Sequence, residues 1–427
     1  MSIFTQLYPK NLFLEAFWTT KEHSKLSIRT KPLLKNSFLS FYYNSEFLKD
    51  QLIKINSKYL YFYDKDGWIA YVKLRASLIS TFIQENPQGT QFGFTIKINS
   101  FLKQDFFVGS DKELQVWVKY LKKIAILTNF DEDYVVIKDI DSGRFGSVKL
   151  CQSLQSQKSK QYAVKQIEKS DLTELKLIQQ LSNEINVLRK FSSKYITKLY
   201  RVYEDTSKIY LILEYVPHGN LLKRVLSKKK FSESEVAKFA SRLFSVIKYI
   251  HSFGIIHRDL KPENILMTSS TKTHKFKIAD FGLACYIDRS EKLKSGSPGY
   301  MAPEILRGHS YSTKVDIFSG GIILYILLTG TSPFSGLGQN KTIQLNMLCE
   351  LNFDKGLFKH LSEECIRFLR GVLDSEPVFR PSAVVALQDE WIMKDKVKKI
   401  VSQTCETQKG RNGLRGFNRV SSRLIIF

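Results

Sequence analysis

A chain of 427 residues is long enough for two or three domains, and with 43% hydrophobic and 25% charged residues it is not a mainly disordered protein. Its 65 Lys and Arg against 41 Asp and Glu leave a formal charge of +24, which favours acidic partners such as phosphate groups, anionic membranes or nucleic acid without choosing among them. The cysteines Cys151, Cys285, Cys349, Cys365 and Cys405 are odd in number and lack C-x-x-C spacing, so they indicate neither a disulfide framework nor a zinc site and fit a reducing, intracellular compartment.

The opening stretch "MSIFTQLYPKNLFLEAFW" carries Lys10 and Glu15 among its apolar residues, and Ser2 stands where myristoylation needs Gly, so no targeting segment is expected. Between about 40 and 108 the pattern alternates as strands do. "KYLYFYDKDG" reads as an aromatic strand entering a turn, and "QFGFTIKI" puts Phe92, Phe94, Ile96 and Ile98 on one face. A helix follows in "SDKELQVWVKYLKKIAIL", where Ser110 and Glu113 have capping-box spacing and Leu114, Trp117, Val118, Leu121 and Ala125 form a stripe. Strands closed by one helix with a central Trp predict a small β-barrel corked by that helix. On these residues, 22–127 resembles a pleckstrin homology domain. The resemblance implies a core role for Trp117 and two readings for the domain, docking on a phosphoinositide or other anionic membrane surface, or docking on protein. Arg29, Lys31, Lys35, Lys49 and Lys54 are the lipid-binding candidates. "TNFDED", 128–133, reads as a short acidic linker, so the next unit begins near Tyr134 and sits close by.

"DSGRFGSV", 141–148, matches G-x-G-x-x-G-x-V at Gly143, Gly146 and Val148 but has Asp141 at the first glycine. Fifteen or so residues on, "YAVKQI" places Lys165 on a strand, where its charge could hold nucleotide phosphates. The helix "LKLIQQLSNEINVLRKF" has an apolar stripe at Ile178, Leu181, Ile185 and Leu188, with Glu184 at its edge as the partner for Lys165. "HRDLKPENIL" supplies Asp259, Lys261 and Asn264, and "ADFGLA" supplies Asp280. Phosphoryl transfer needs a carboxylate to orient and deprotonate the attacking hydroxyl, a cation beside the transferred phosphate, and oxygen ligands for magnesium. These side chains are of the required types, in order. The run "GGIILYILLTG", 320–330, falls short of the roughly 20 residues of a membrane span and reads as a buried core helix.

Residues 134–393 resemble the eukaryotic protein kinases. The features "YMAPEIL" with Glu304, Arg380 in "RPSA" and Asp316 in "KVDIFSGG" match structural positions of that family. Lys261 and "GSPGYMAPE" look like the serine/threonine branch, closest to the calcium/calmodulin-dependent group. The resemblance implies an α+β, bilobal fold (134–216 and 217–393) that follows the barrel, and ATP and Mg²⁺ as cofactors. It assigns Asp259, Lys261, Lys165 and Glu184 to catalysis, and Asn264 and Asp280 to the metal. For ATP it implies Ile140, Gly143, Gly146, Val148, Ala163, Lys165, Leu213 and Leu266, with backbone hydrogen bonds from Glu214 and Val216. Protein substrates follow. Asn220 replaces an acid of Arg-directed relatives, leaving Glu263 to carry such a preference, and Arg258 offers a dock for a phosphate on Ser290 or Ser295. The rival expectation is a catalytically dead scaffold of the same fold. The basic tail, 394–427, is read as a solubilising end, with calmodulin or membrane contact as the sharper alternatives. No basic-aromatic motif supports nucleic acid. The expected location is the cytoplasm, with peripheral membrane attachment through the N-terminal domain as its variant.

Overall fold

The computed structural model describes residues 19–20, 35–43, 46–55, 59–64, 67–74, 77–87, 89–97, 103–143, 146–154, 160–228, 231–289, 294–353 and 355–394. They fall into two compact units, 1–217 and 218–427.

The first unit is built on one long sheet. It begins with β1 (Thr19–Thr20), β2 (Lys35–Tyr43), β3 (Glu46–Ile55), β4 (Tyr59–Asp64) and β5 (Gly67–Lys73), and continues with β6 (Leu78–Asn86), β7 (Gly89–Lys97) and β8 (Lys103–Val108). Neighbours in this set run in the order β1-β5-β4-β3-β2-β8-β7-β6, every pair antiparallel. Two meanders, β2 to β5 and β6 to β8, are therefore joined where β2 pairs with β8 at Ser40 and Phe107. The helix α1 (Asp111–Leu121) then packs on the inner face. Four members of its stripe work as the spacing predicts: Leu114, Trp117, Val118 and Leu121 are buried with Leu39, Ile53, Ile55, Leu60, Phe94, Ile96 and Phe106, and Ala125 is buried with them although it lies past the end of the helix. The Trp117 ring lies 5.9 Å from Phe94, which stacks on Phe106 at 5.2 Å. Ser110 Oγ accepts the Glu113 N–H at 3.3 Å, while the Glu113 carboxylate accepts from Gly109 N–H, so the return half of the capping box falls one residue early. Phe92 is only half-buried, and Ile98 lies outside the described residues.

The chain leaving α1 forms β9 (Ile126–Leu127), which pairs in parallel with β6 on one side and, on the other, with β13 (Leu199–Glu204). Beyond β13 the same sheet continues as β14 (Lys208–Glu214), β12 (Gln161–Glu168), β11 (Gly146–Ser153) and β10 (Tyr134–Gly143). The stretch 128–133, which leads from β9 to β10, is short as expected and carries two buried residues among exposed ones. Phe130–Asp133 form one helical turn, α2, and both end residues are buried. Phe130 stacks on Tyr210 at 4.3 Å and meets Tyr134 and Tyr203 at 5.7 and 5.9 Å. Asp133 accepts from Lys122 Nζ at 3.0 Å, from Arg201 Nη1 at 3.1 Å and from the Tyr203 hydroxyl. Burial and the bond to Asp133 together push the Tyr203 hydroxyl far above the usual phenol range. Of the three acidic residues of this stretch, Asp133 is taken into a buried hub while Asp131 and Glu132 stay exposed. The helix α3 (Leu175–Leu188) covers the other part of the sheet with Ile178, Leu181, Ile185 and Leu188 turned inward.

The second unit is mostly helical. It comprises α4 (Leu221–Lys228), α5 (Glu233–His251), α6 (Pro303–Leu306), α7 (Lys314–Thr329), α8 (Gln339–Leu348), α9 (Lys355–Phe358), α10 (Glu363–Val372) and α11 (Ala383–Ala386). Two small ribbons, β15 (Ile255–Ile256) with β18 (Cys285–Tyr286) and β16 (Ile265–Met267) with β17 (Phe276–Ile278), carry the loops between them. The apolar run at 320–330 lies in α7 and its Gly330 cap, and the helix is buried from Val315 to Thr329. Among the described residues no helix is long and apolar enough to cross a membrane.

Removing the acceptor of the hub strands the buried Tyr203 hydroxyl and the half-buried charges of Lys122 and Arg201, so Asp133→Ala should destabilise the first unit by about 3 kcal/mol. Thermal melting would then show a fall of roughly 6–12 °C. An unchanged melting temperature would show that the hub carries no stability.

Candidate active site

In the first unit, β10 and β11 pair through Gly143 and Gly146 around the loop tip, with Asp141 opposite Val148. Gly146 has φ +130°, and a Cβ there would lie 1.9 Å from the Gln166 carbonyl oxygen, so only glycine fits. Asp141 is exposed and its carboxylate accepts the Ser142 N–H at 2.9 Å, tying its charge to its own backbone turn. Residues 144 and 145 at the tip lie outside the described residues.

Lys165 stands on β12 opposite Val148, and its ammonium reaches Glu184 on α3 at 2.8 and 3.0 Å. Glu184 is 4% exposed, buried between Leu181, Ile185 and Leu188 because three- and four-residue spacings share one helix face. Ala163 is paired with Leu213 on one side and Leu150 on the other, and Val148, Ala163 and Leu213 are each only half-buried. Ile140 remains exposed. An apolar face is therefore left incompletely covered along β10, β11, β12 and β14, where Glu214 and Val216 close the strand and the turn that follows it.

In the second unit the catalytic-loop candidates form a closed cluster. Asp259 Oδ1 accepts from Ser297 Oγ at 2.7 Å, and Oδ2 from Asn264 Nδ2 and Lys261 Nζ, both at 3.0 Å. Lys261 Nζ also donates to Ser297 Oγ at 2.7 Å. With its amide nitrogen spent on Asp259, Asn264 has its oxygen left as an acceptor. Asp280 adopts φ +58° and accepts the Gly282 N–H at 3.2 Å, while Phe281 is fully buried with its ring 4.7 Å from His257. Leu266 lies half-buried on β16 and bridges Asn220. Asn220 caps α4 by accepting the Lys223 N–H at 3.0 Å.

This cluster is held from below. Asp316, fully buried, accepts the backbone N–H groups of His257 and Arg258 at 2.9 Å each and meets His251 Nε2 at 2.8 Å. Burial alone would raise its carboxyl, but these hydrogen bonds and the neighbouring histidines keep it below the ordinary carboxylate value. Arg258 has φ +67°, a left-handed conformation that costs about 1–3 kcal/mol for a non-glycine residue and is sustained by this anchor. Its guanidinium is already engaged, through Nε with the Leu283 carbonyl at 2.6 Å and through Nη1 with the Tyr311 hydroxyl at 2.7 Å. Ser290 lies outside the described residues, and Ser295 is half-buried. Glu304 and Arg380, 3% and 1% exposed, form a two-pronged pair at 2.7 and 2.8 Å.

Sequence reasoning missed Ser297, Tyr311 and the two histidines on Asp316. Ser297 had a signal, since it sits in "GSPGYMAPE" one turn before the Glu304 motif, but a serine in a loop is not distinguished by type. Among the described residues, no cluster of three or more His, Cys, Asp or Glu could hold a metal alone. Asn264 and Asp280 instead supply a sparse oxygen set of the kind magnesium accepts when phosphate oxygens complete its shell.

A family model described as the protein kinase domain matches residues 134–392. A probable myosin light chain kinase of Dictyostelium discoideum is 34% identical over 266 residues, 62% of this chain and 75% of that protein. A calcium-dependent protein kinase 4 of Plasmodium berghei is 36% identical over 266 residues, and a serine/threonine-protein kinase of Arabidopsis thaliana 34% over 268. The chain spans only 50% and 54% of the length of these last two. The match covers more than half of the chain, and the chain belongs to the protein kinase family, in its serine/threonine branch, whose cofactors are ATP and Mg²⁺.

Proposed function

We propose that the chain is an active kinase that moves the γ-phosphate of ATP to serine or threonine hydroxyls of proteins, and not a dead scaffold. The observation that carries this reading is the Lys165–Glu184 pair. Burying two opposite charges is repaid only by good geometry, and here both carboxylate oxygens lie within 3.0 Å of the ammonium. Glu184 thereby fixes Lys165 as a positive charge for the α- and β-phosphates. Asp259 orients the substrate hydroxyl and takes its proton, and Lys261 offsets charge on the transferred phosphoryl group. Asn264 and Asp280 hold magnesium, which when bound neutralises the developing phosphate charge. Ile140, Val148, Ala163, Leu213 and Leu266 give the adenine apolar faces, and the backbone of Glu214 and Val216 gives it hydrogen-bond partners.

A basic residue in the substrate is supported by the Glu263 carboxylate, a half-buried acid on the turn Pro262–Asn264 that follows Lys261. A pleckstrin-homology-like reading of 22–127 is supported by the strand order β5-β4-β3-β2-β8-β7-β6 followed by α1 with its buried Trp117. Of the lipid-binding candidates, Arg29 and Lys31 lie outside the described residues, as do the side chains of Lys35, Lys49 and Lys54. So does the tail from 395 onward, where a calmodulin-binding segment would sit. A cytoplasmic location, with peripheral membrane attachment as its variant, is a proposal that rests on the odd number and scattered spacing of the five cysteines.

Asp259→Asn should lower kcat by about 10²–10⁴-fold while ATP affinity holds, because the hydroxyl loses its base and the nucleotide loses nothing. Asp280→Asn should weaken magnesium-dependent ATP binding as well. Activity of Asp259→Asn near wild type, in a preparation free of other kinases, would sink the assignment.

The two unequal glycine positions of the phosphate loop give a second test. A carboxylate about 8 Å from the phosphates would cost roughly 0.5–2 kcal/mol at an effective dielectric between 20 and 80. Asp141→Gly should therefore lower KM for ATP by several-fold at most and leave kcat within about twofold. Gly146→Ala should do the opposite and abolish ATP binding, since its Cβ meets the Gln166 carbonyl. A hundredfold or larger rise in kcat for Asp141→Gly would instead revive the scaffold reading.

A further inference from the structure

Between Lys165 and Glu184 the distance is set by where α3 lies, and α3 is held by more than its own half of the sheet. Ile126 of β9 is buried in one cluster with Ile178, Leu181 and Ile185, the residues that flank Glu184 on the inner face of α3. β9 itself is fixed from the strands that precede it: Ile126 N–H donates to the Ser77 carbonyl at 3.0 Å, and Leu78 and Ile79 pair with Ile126 and Leu127. At the C-terminal end of α3, the cap residue Arg189 donates from Nη2 to the carbonyl of Ala125 at 2.9 Å, a contact 64 residues long in sequence. Ala125 is fully buried beneath α1, its N–H bonded to Leu121 O. The helix that carries Glu184 is thus pinned at its side by Ile126 and at its end by Arg189, and both pins lead to the strand contributed by the first 127 residues.

We infer that Arg189 is a positioning residue for phosphoryl transfer: by gripping the Ala125 carbonyl it locks α3 to β9 and keeps Glu184 within reach of Lys165, so that the N-terminal strands act as part of the catalytic lobe. The inference rests on the proposed kinase activity. A charge-assisted bond to a buried carbonyl is short and directional, so losing it frees the helix end by the fraction of an ångström that matters for a hydrogen-bonded pair. Lysine can still reach the carbonyl with one donor, whereas alanine cannot.

The test is a double-mutant cycle on the full chain, with kcat and KM for ATP measured at saturating peptide. Arg189→Ala should lower kcat/KM for ATP by about tenfold, and Arg189→Lys should recover part of the loss. In a Glu184→Gln background the same Arg189→Ala change should cost less than about twofold, because the residue through which it acts is already disabled. Equal losses in the two backgrounds, or no loss in either, would overturn the inference. Should Arg189→Ala fail to fold by thermal melting, Arg189→Lys takes its place in the cycle with the same two outcomes. An inactive wild-type chain would instead defeat the proposed kinase activity, which is a different result.

Discussion

Two ionic groups of opposite sign, the half-buried Lys165 and the buried Glu184, are held beside each other, and much of the first unit is arranged so that they can be. Neither charge would be tolerated there alone. The pair forms because β12 and α3 are both fixed, β12 by pairing on both edges and α3 by an apolar stripe that seats it on the sheet. The sheet does not end with this lobe. A lobe built from β10 to β14 alone would leave β13 as an edge strand with exposed N–H and C=O groups. Here β9 covers that edge, and the sheet runs on into β6, β7 and β8.

The seam is secured by chemistry of two kinds. Phe130, Tyr134, Tyr203 and Tyr210 bury their rings together, and Asp133 gathers Lys122, Arg201 and the Tyr203 hydroxyl. Lys122 follows α1 and Arg201 lies on β13, so one carboxylate joins residues from both sides of β9. An acid with three donors around it is stable in a low-dielectric setting, where one donor would leave it costly. Two covalently linked parts therefore behave as one body at this seam because a charge is shared between them.

Much of this was legible in the sequence and some of it was not. The stripes in α1 and α3 were readable because a period of 3.6 is a property of the sequence itself, and Trp117 and Glu184 followed from it. Gly146 was readable because only glycine takes its backbone angle, and Asp259, Asn264 and Asp280 because they sit in long motifs. β9 was not readable: two residues, Ile126 and Leu127, carry no alternation, and a parallel pairing 76 residues away leaves no local mark. The hub at Asp133 was not readable for a related reason, since nothing local separates it from the exposed Asp131 and Glu132 until the donors, Lys122, Arg201 and Tyr203, are brought in by the fold. Ser297 belongs to the same class, because its bonds to Asp259 and Lys261 span 38 and 36 residues.

The second unit solves a different problem, that of holding a loop in an unfavourable backbone conformation with the right side chains facing out. Arg258 and Asp280 both sit at positive φ, and Arg258 is the next residue to Asp259, so its strained backbone sets the direction of the Asp259 carboxylate. Asp316 offsets that strain by accepting two consecutive backbone N–H groups from a fully buried position. With the backbone fixed, the Arg258 side chain can be directed at uncharged oxygens, the Leu283 carbonyl and the Tyr311 hydroxyl. An anion arriving at Arg258 would meet a guanidinium with two of its five N–H donors already committed to those acceptors. The segment from Leu283 to Tyr311 is therefore tied to the catalytic loop at both ends by hydrogen bonds that need no phosphate to form.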